Sequence, residues 1–343
     1  MIPAIDIGPV FGGPSPARDA ADRAIMAAAA DSGFMTVTGL PADVPIGPEM
    51  RAELLRVFAL PDSETRKLWR QKFDPARPNL YRGWFPVQQG EPTYKLGIDI
   101  GPDLVYGAAV VDARDPLCEA TPLPPEAALP GWRQSAVTYY RAMERTGQLL
   151  MRAIARGVGL PETSFDAAFT RGISTLRLIH YPVRPMDELP PETQELIAVE
   201  HKGARRYLTG RAHVDSGFVT LLAQDGVEGL QARDHDGAWV DVPPAEGSLA
   251  INFGKVLEHW TGGRVKATEH RVISAGAPRC SIPFFFEPRV DAVIAPLARP
   301  HGAEGAATVF APFSYGDHLW SSMMRFVEFR GLEHMRKPRG VAA

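Results

Sequence analysis

The sequence predicts an α+β protein, mainly β in its second half, in which helices flank a β-sandwich or barrel. Three observations carry that expectation. Helical patterns fill the first half. The longest, Pro130 to Val158, sets Trp132, Val137, Tyr140, Met143, Leu149, Leu150 and Ile154 at helical spacing. From Ser174 onward the pattern turns to short β-rich runs punctuated by Gly, Pro and Asp. Those runs follow the helices as a block instead of alternating with them, which disfavours a doubly wound parallel sheet.

The elements follow in order. Ile2 to Ile7 alternates and reads as a strand. Ala17 to Asp31 is Ala-rich and predicts a helix, closed by Ser32-Gly33 because glycine is the usual helix stop. Phe34 to Thr38 predicts a strand. Pro48 to Phe58 and Pro61 to Trp69 predict two further helices, the second with Asp62 or Ser63 as its cap. Gln71 to Gly90 reads as an aromatic and basic loop, and Lys95 to Ile100 as a strand. After the long helix come strands at Thr175–Tyr181, Phe218–Ala223 and Ser248–Phe253. A hairpin spans Val227 to Val242, with Asp236-Gly237 at its turn. Lys255 to Trp260 predicts a short helix. Val265–Ile273, Cys280–Phe286 and Ala292–Ile294 predict strands, and Gly316–Arg330 returns to helix.

Composition narrows the function. With 343 residues the chain can bury a substantial core. Hydrophobic residues make up 45% and charged residues 22%, an ordinary globular balance. The formal net charge of -3 gives a nucleic-acid role no electrostatic support. No apolar run reaches the roughly 20 residues of a membrane helix. Two cysteines, Cys118 and Cys280, belong to no zinc-type cluster, and no basic-apolar leader opens the sequence. A reduced, cytoplasmic protein is the expectation.

The chemistry concentrates between Arg211 and Ser281. His213-Val214-Asp215 sets an imidazole and a carboxylate two residues apart, and a strand end would project both to one side. His270 adds a second imidazole. Two histidines and one carboxylate on one face of a metal leave other coordination positions open, the arrangement of non-haem Fe(II) oxygenases. His-x-Asp alone says little in a chain with nine histidines, and a surface pair in a turn is its plain reading. The extended segments on both sides favour a held pair. Arg279 and Ser281 also share a strand face. The apolar Ile282-Pro-Phe-Phe-Phe beside them argues that Arg279 is buried, where it needs an anionic partner.

Taken in order, these residues resemble the isopenicillin N synthase-like family of Fe(II) oxygenases, most of which use 2-oxoglutarate. The resemblance spans nearly the whole chain. It rests on Ile2-Pro-Ala-Ile-Asp, Gly33-Phe34, Phe58-Ala-Leu-Pro, Arg82-Gly83-Trp84, His213-x-Asp215, His270-Arg-Val, Arg279-x-Ser281, Tyr315-Gly-Asp and Phe329-Arg-Gly-Leu. It implies a double-stranded β-helix, or jelly-roll, core at 173–300. An N-terminal α/β region (1–115), a helical region (116–172) and a C-terminal helical segment (301–343) would pack on that core as one compact domain.

The resemblance implies roles as well. His213, Asp215 and His270 would bind Fe(II). Arg279 and Ser281 would hold the distal carboxylate of 2-oxoglutarate. Tyr181 would support that cosubstrate, although Ile179 stands where many relatives carry Asn. A carboxylate at Asp215, where a halide-transferring relative has a small residue, disfavours halogenation. The implied activity is a 2-oxoglutarate-dependent dioxygenase that consumes O2, releases succinate and CO2, and hydroxylates, desaturates or cyclises at an aliphatic C–H of a small polar molecule. Isopenicillin N synthase itself uses no 2-oxoglutarate yet keeps an Arg-x-Ser pair, so an oxidase of that type is the alternative. A non-catalytic, metal- or ligand-binding jelly-roll is a third reading. Tyr81, Arg82, Trp84 and Lys95 are candidate substrate contacts. Their plain alternative is packing beneath a surface loop.

Overall fold

The computed structural model describes residues 1–107, 114–297 and 310–341. Its strands are β1 (Ala4–Asp6), β2 (Phe34–Thr38), β3 (Gly83–Phe85), β4 (Leu96–Ile100), β5 (Thr175–Tyr181), β6 (Ala198–His201), β7 (Ala204–His213), β8 (Val219–Gln224), β9 (Leu230–Arg233), β10 (Trp239–Asp241), β11 (Leu249–Phe253), β12 (His270–Ile273), β13 (Arg279–Phe286), β14 (Val293–Ile294) and β15 (Phe313–Ser314). The larger sheet runs β1-β2-β11-β8-β13-β5-β4-β3 and the smaller β10-β9-β12-β7-β6. Pairing is antiparallel except between β1 and β2. This is the jelly-roll, with helices outside it. The larger sheet draws strands from both the 1–115 and the 173–300 segments, so the first region is continuous with the core. The expected boundary at 300/301 lies outside the described residues.

Alternation along two neighbouring strands separates the core from the site. On β13, Ile282, Phe284 and Phe286 join the apolar core beneath the helix Trp132–Gly157. Tyr140 of that helix meets Phe284 edge-on, with ring centroids 4.9 Å apart, and its hydroxyl donates to the Ser174 carbonyl at 2.8 Å. At Gly147 a Cβ would come within 2.6 Å of the Phe286 ring, so only glycine lets the helix approach this closely. The opposite face of β13 carries Arg279, Ser281, Pro283 and Phe285, which line a cavity between the sheets. On β5, Leu176 and Leu178 join the core while Arg177, Ile179 and Tyr181 face that cavity.

Most predicted elements are present, and the exceptions have local causes. The first helix is Pro16–Asp31, and Ser15 caps it by accepting the Arg18 amide. The predicted Pro61–Trp69 helix is a single turn, Asp62–Thr65, followed by a 3-10 turn. Its cap position is Pro61, with no side-chain bond, instead of Asp62 or Ser63. The chain must bend there, because Arg70 donates its amide to the Trp84 carbonyl at 3.1 Å. The strand expected from Val265 begins only at His270; upstream, Lys266 donates its amide to Ala29 and ties the segment to the first helix. The last helix, Tyr315–Met323, stops well before Arg330. Turns then lay Phe326 and Phe329 against the interior cavity. Cys118 is buried and Cys280 half-buried, and no disulfide joins them. Among the described residues, no helix is long and apolar enough to cross a membrane.

A buried charge cluster ties the edge of the larger sheet to its centre. Asp99 on β4 is fully buried and accepts from Arg70 and, at 2.8 Å, from Nη2 of Arg177 on β5. Burial alone would raise its carboxyl. Arg177 and Arg70 outweigh burial and hold it at about 2. Asp99→Asn would remove the carboxylate that bonds two buried guanidiniums, so we expect a loss of roughly 3–5 kcal/mol in denaturant unfolding. A loss below about 1 kcal/mol would show that the cluster is not a structural anchor.

Candidate active site

His213 is the last residue of β7 and His270 the first of β12, and the two are direct partners across the ladder. Their rings lie 4.3 Å apart. Asp215 follows two residues after β7, before the chain crosses to β8 in the other sheet. Its Oδ1 is 3.6 Å from His213 Nε2 and 3.8 Å from His270 Nε2. An ion with bonds of about 2.1 Å sets its ligand atoms roughly 3–4 Å apart, so the cluster has the dimensions of a metal site. Among the described residues, this is the group of three that could hold an ion.

Each ligand is oriented by a bond at its other end. His213 Nδ1 lies 2.8 Å from the Arg211 carbonyl, and His270 Nδ1 lies 3.2 Å from the Thr268 carbonyl. A carbonyl only accepts, so each Nδ1 carries the proton and each Nε2 turns a lone pair to the centre. Asp215 Oδ2 accepts from Thr220 Oγ1 at 2.6 Å and Asn252 Nδ2 at 2.8 Å. That leaves Oδ1 turned toward the two imidazoles. Desolvation, with His270 alongside, pushes the His213 imidazole down to about 4. Burial would raise the Asp215 carboxyl, but the two imidazoles and the Thr220 and Asn252 donors hold it below its ordinary value. Neutral imidazoles and an ionised carboxylate are the states metal binding requires.

The same cavity ends on β13 and β5. Arg279 is 3% exposed and Ser281 2%. Arg279 donates Nε to the Val227 carbonyl at 3.3 Å and Nη2 to Gln224 Oε1 at 3.1 Å, whereas Nη1 has no partner. Among the described residues, no carboxylate pairs with this buried guanidinium. Its remaining donor and the Ser281 hydroxyl therefore suit an anion entering the cavity. Tyr181 is the direct cross-strand partner of Arg279, whose guanidinium lies 5.3 Å from the Tyr181 ring centroid.

A second cavity opens on the other side of the His213–Asp215 pair, with about 650 Å3 of open space including its mouth. Tyr81 and Lys95, two of the candidate substrate contacts, line it. Arg82 and Trp84 do not line either cavity and are corrections. Arg82 is fully buried beneath the sheet, donating Nη2 to the Ile173 carbonyl at 2.8 Å and Nη1 to Thr175. Trp84 packs edge-on to Phe58 with centroids 5.5 Å apart. Both lie in or beside a strand, β3, that sequence reasoning took for loop. Lys95 Nζ sits 3.0 Å from Glu328 Oε1, so it reaches the cavity as half of an ion pair.

Sequence reasoning also missed Asn252, Thr220, Arg177 and Glu287. Asn252 left a signal: a lone amide inside the apolar strand Leu249–Phe253, where a polar group must find a partner.

A group of three side chains that could hold one metal ion thus lies between the sheets of a jelly-roll, with a buried, incompletely partnered guanidinium in the same cavity. Residues 173–288 match the 2OG-Fe(II) oxygenase superfamily. Isopenicillin N synthase of Streptomyces clavuligerus is 30% identical over 334 residues, covering 96% of this chain and 97% of that protein. A 2-oxoglutarate-Fe(II) type oxidoreductase of Emericella nidulans is 28% identical, covering 85% and 80%. Among solved structures, a full-length Neurospora crassa protein in complex with alpha-KG and 5-formyluracil superposes with a TM-score of 0.75 at 23% identity, covering 95% and 96%. The chain belongs to the isopenicillin N synthase-like 2OG-Fe(II) oxygenases. It is an oxidoreductase of the dioxygenase class, and the cofactors of its superfamily are Fe(II), 2-oxoglutarate and O2.

Because Thr220 and Asn252 hold the far oxygen of Asp215, Asn252→Leu is expected to weaken Fe(II) binding roughly tenfold to hundredfold in an anaerobic titration. Affinity unchanged from wild type would mean that Asp215 needs no such support.

Proposed function

We propose that His213, Asp215 and His270 hold Fe(II), that Arg279 and Ser281 bind the distal carboxylate of 2-oxoglutarate, and that the chain hydroxylates an aliphatic C–H of a small polar molecule. Desaturation or ring closure would use the same site. The observation that carries this reading is the unpartnered Nη1 of Arg279, buried in the cavity that the three ligands also line. Together Fe(II), 2-oxoglutarate and O2 supply the oxidation of the C–H, with succinate and CO2 as the other products.

The protein's own part is placement. Arg279 and Ser281 sit on one face of β13, two residues apart, so guanidinium and hydroxyl reach the same carboxylate. Tyr181 walls the clamp from β5. Thr220 and Asn252 keep the Asp215 carboxylate from rotating. Phe285, shared by both cavities, separates cosubstrate from substrate and limits water at the reacting centre.

A second reading is favoured by the kinship to isopenicillin N synthase. There the Arg279 and Ser281 clamp would hold a carboxylate of the substrate, and O2 alone would be consumed.

Anaerobic addition of Fe(II) and 2-oxoglutarate is expected to give a metal-to-ligand charge-transfer absorption. Arg279→Ala should raise the 2-oxoglutarate concentration needed for it roughly thirtyfold or more, the loss for removing one partner of a buried charge pair. No absorption with wild type would sink the clamp assignment. Turnover should yield succinate in step with O2 uptake; O2 uptake without succinate would select the second reading.

A further inference from the structure

The inward face of β13 does not end with Phe285. Glu287 is the next residue on that face, about 7 Å further along at ordinary strand rise, and it lines the substrate-side cavity with His213 and Asp215. One strand thus carries the cosubstrate clamp at one end and a carboxyl at the other. Glu287 is 5% exposed, and its Oε2 has no hydrogen-bond partner. The fully buried Tyr315 hydroxyl lies beside the same carboxyl: a Cβ on Gly217 would sit 3.1 Å from both Glu287 Oε1 and Tyr315 Oη. Gly217 lies two residues after Asp215, so it brings this carboxyl close to the metal ligands.

A buried oxygen left unpaired costs free energy, and a native site retains one where a ligand completes it. The other charged groups on this cavity are already matched. Lys95 pairs with Glu328, and Arg177 with Asp99. Arg82 donates Nη1 to Thr175 and Nη2 to the Ile173 carbonyl, lines neither cavity, and acts on Glu287 by charge alone. The rest of the wall includes the aromatic rings of Tyr81, Phe218, Phe285, Phe326 and Phe329.

We propose that Glu287 selects substrates carrying a basic nitrogen, which docks on its free oxygen while the aromatic wall holds the carbon skeleton against the metal side. The carboxyl is tuned for such a partner. Burial, with Asp215 adding to it, raises it to about 7 against the opposing pull of Arg82, Tyr315 and Arg177, so an incoming ammonium would draw it into the ionised form. This inference rests on the function proposed above and names the substrate class of that same site.

The test is calorimetric titration of the anaerobic protein loaded with Fe(II) and 2-oxoglutarate, using three matched probes: 4-phenylbutylamine, 4-phenylbutanol and 4-phenylbutyrate. The amine is expected to bind roughly tenfold or more tightly than the other two. Glu287→Gln should abolish that preference and leave the Fe(II)–2-oxoglutarate absorption and the alcohol affinity as in wild type. Where Glu287→Gln folds poorly, Glu287→Asp, which draws the carboxyl back by one methylene, should lower amine affinity several-fold and spare the alcohol. The proposal is overturned if wild type shows no amine preference, including no binding of any probe, or if the preference survives in the Glu287 variant. Loss of the charge-transfer absorption in wild type would instead strike the oxygenase reading beneath it.

Discussion

The site depends on a division of labour within one carboxylate. Asp215 spends Oδ2 on Thr220 and Asn252 and turns Oδ1 toward two imidazoles. Without the first pair of bonds the carboxylate would rotate, and the three ligand atoms would not share a centre. The two donors come from β8 and β11 of the larger sheet, and the two imidazoles from the smaller. The fold therefore closes around the site: a misplaced sheet would separate the carboxylate from its histidines. The cost of holding a charge between two sheets is partly offset by the two donors aimed at it, Thr220 and Asn252.

Strand β13 sets the length scale of the chemistry. Its outward residues, Ile282, Phe284 and Phe286, fasten it to the core beneath the long helix. Its inward residues run from the Arg279 guanidinium through Phe285 to Glu287. Strand pleating alone spaces a guanidinium end, a phenyl middle and a carboxyl-bearing far end along one rigid element. A site built on a strand in this way holds its geometry better than one assembled from loops.

Much of this was legible in the sequence, for a physical reason. His213, Asp215, His270, Arg279 and Ser281 need fixed spacings along strands, and spacing is what a linear pattern records. The long helix was legible from its apolar stripe, and the β9–β10 hairpin from Asp236-Gly237. What escaped depends on contacts between distant segments. Strand β7 carries exposed arginines, so it shows no clean apolar alternation, yet it positions His213. Arg82 and Trp84 look like pocket residues from their types. Burial decides otherwise, because Arg82 lies wholly inside the protein with both terminal nitrogens turned to Thr175 and the Ile173 carbonyl. Glu287 follows a run of three phenylalanines, and nothing in the pattern shows that its oxygen stays unpaired.

The most direct test is where the metal sits. Crystals grown without O2 in the presence of Fe(II) would locate the ion by anomalous diffraction at the iron edge. The account predicts one ion bonded to Nε2 of His213, Nε2 of His270 and Oδ1 of Asp215, with its open side toward the Arg279 clamp. An ion held elsewhere, or bound through Nδ1 of either histidine, would contradict it.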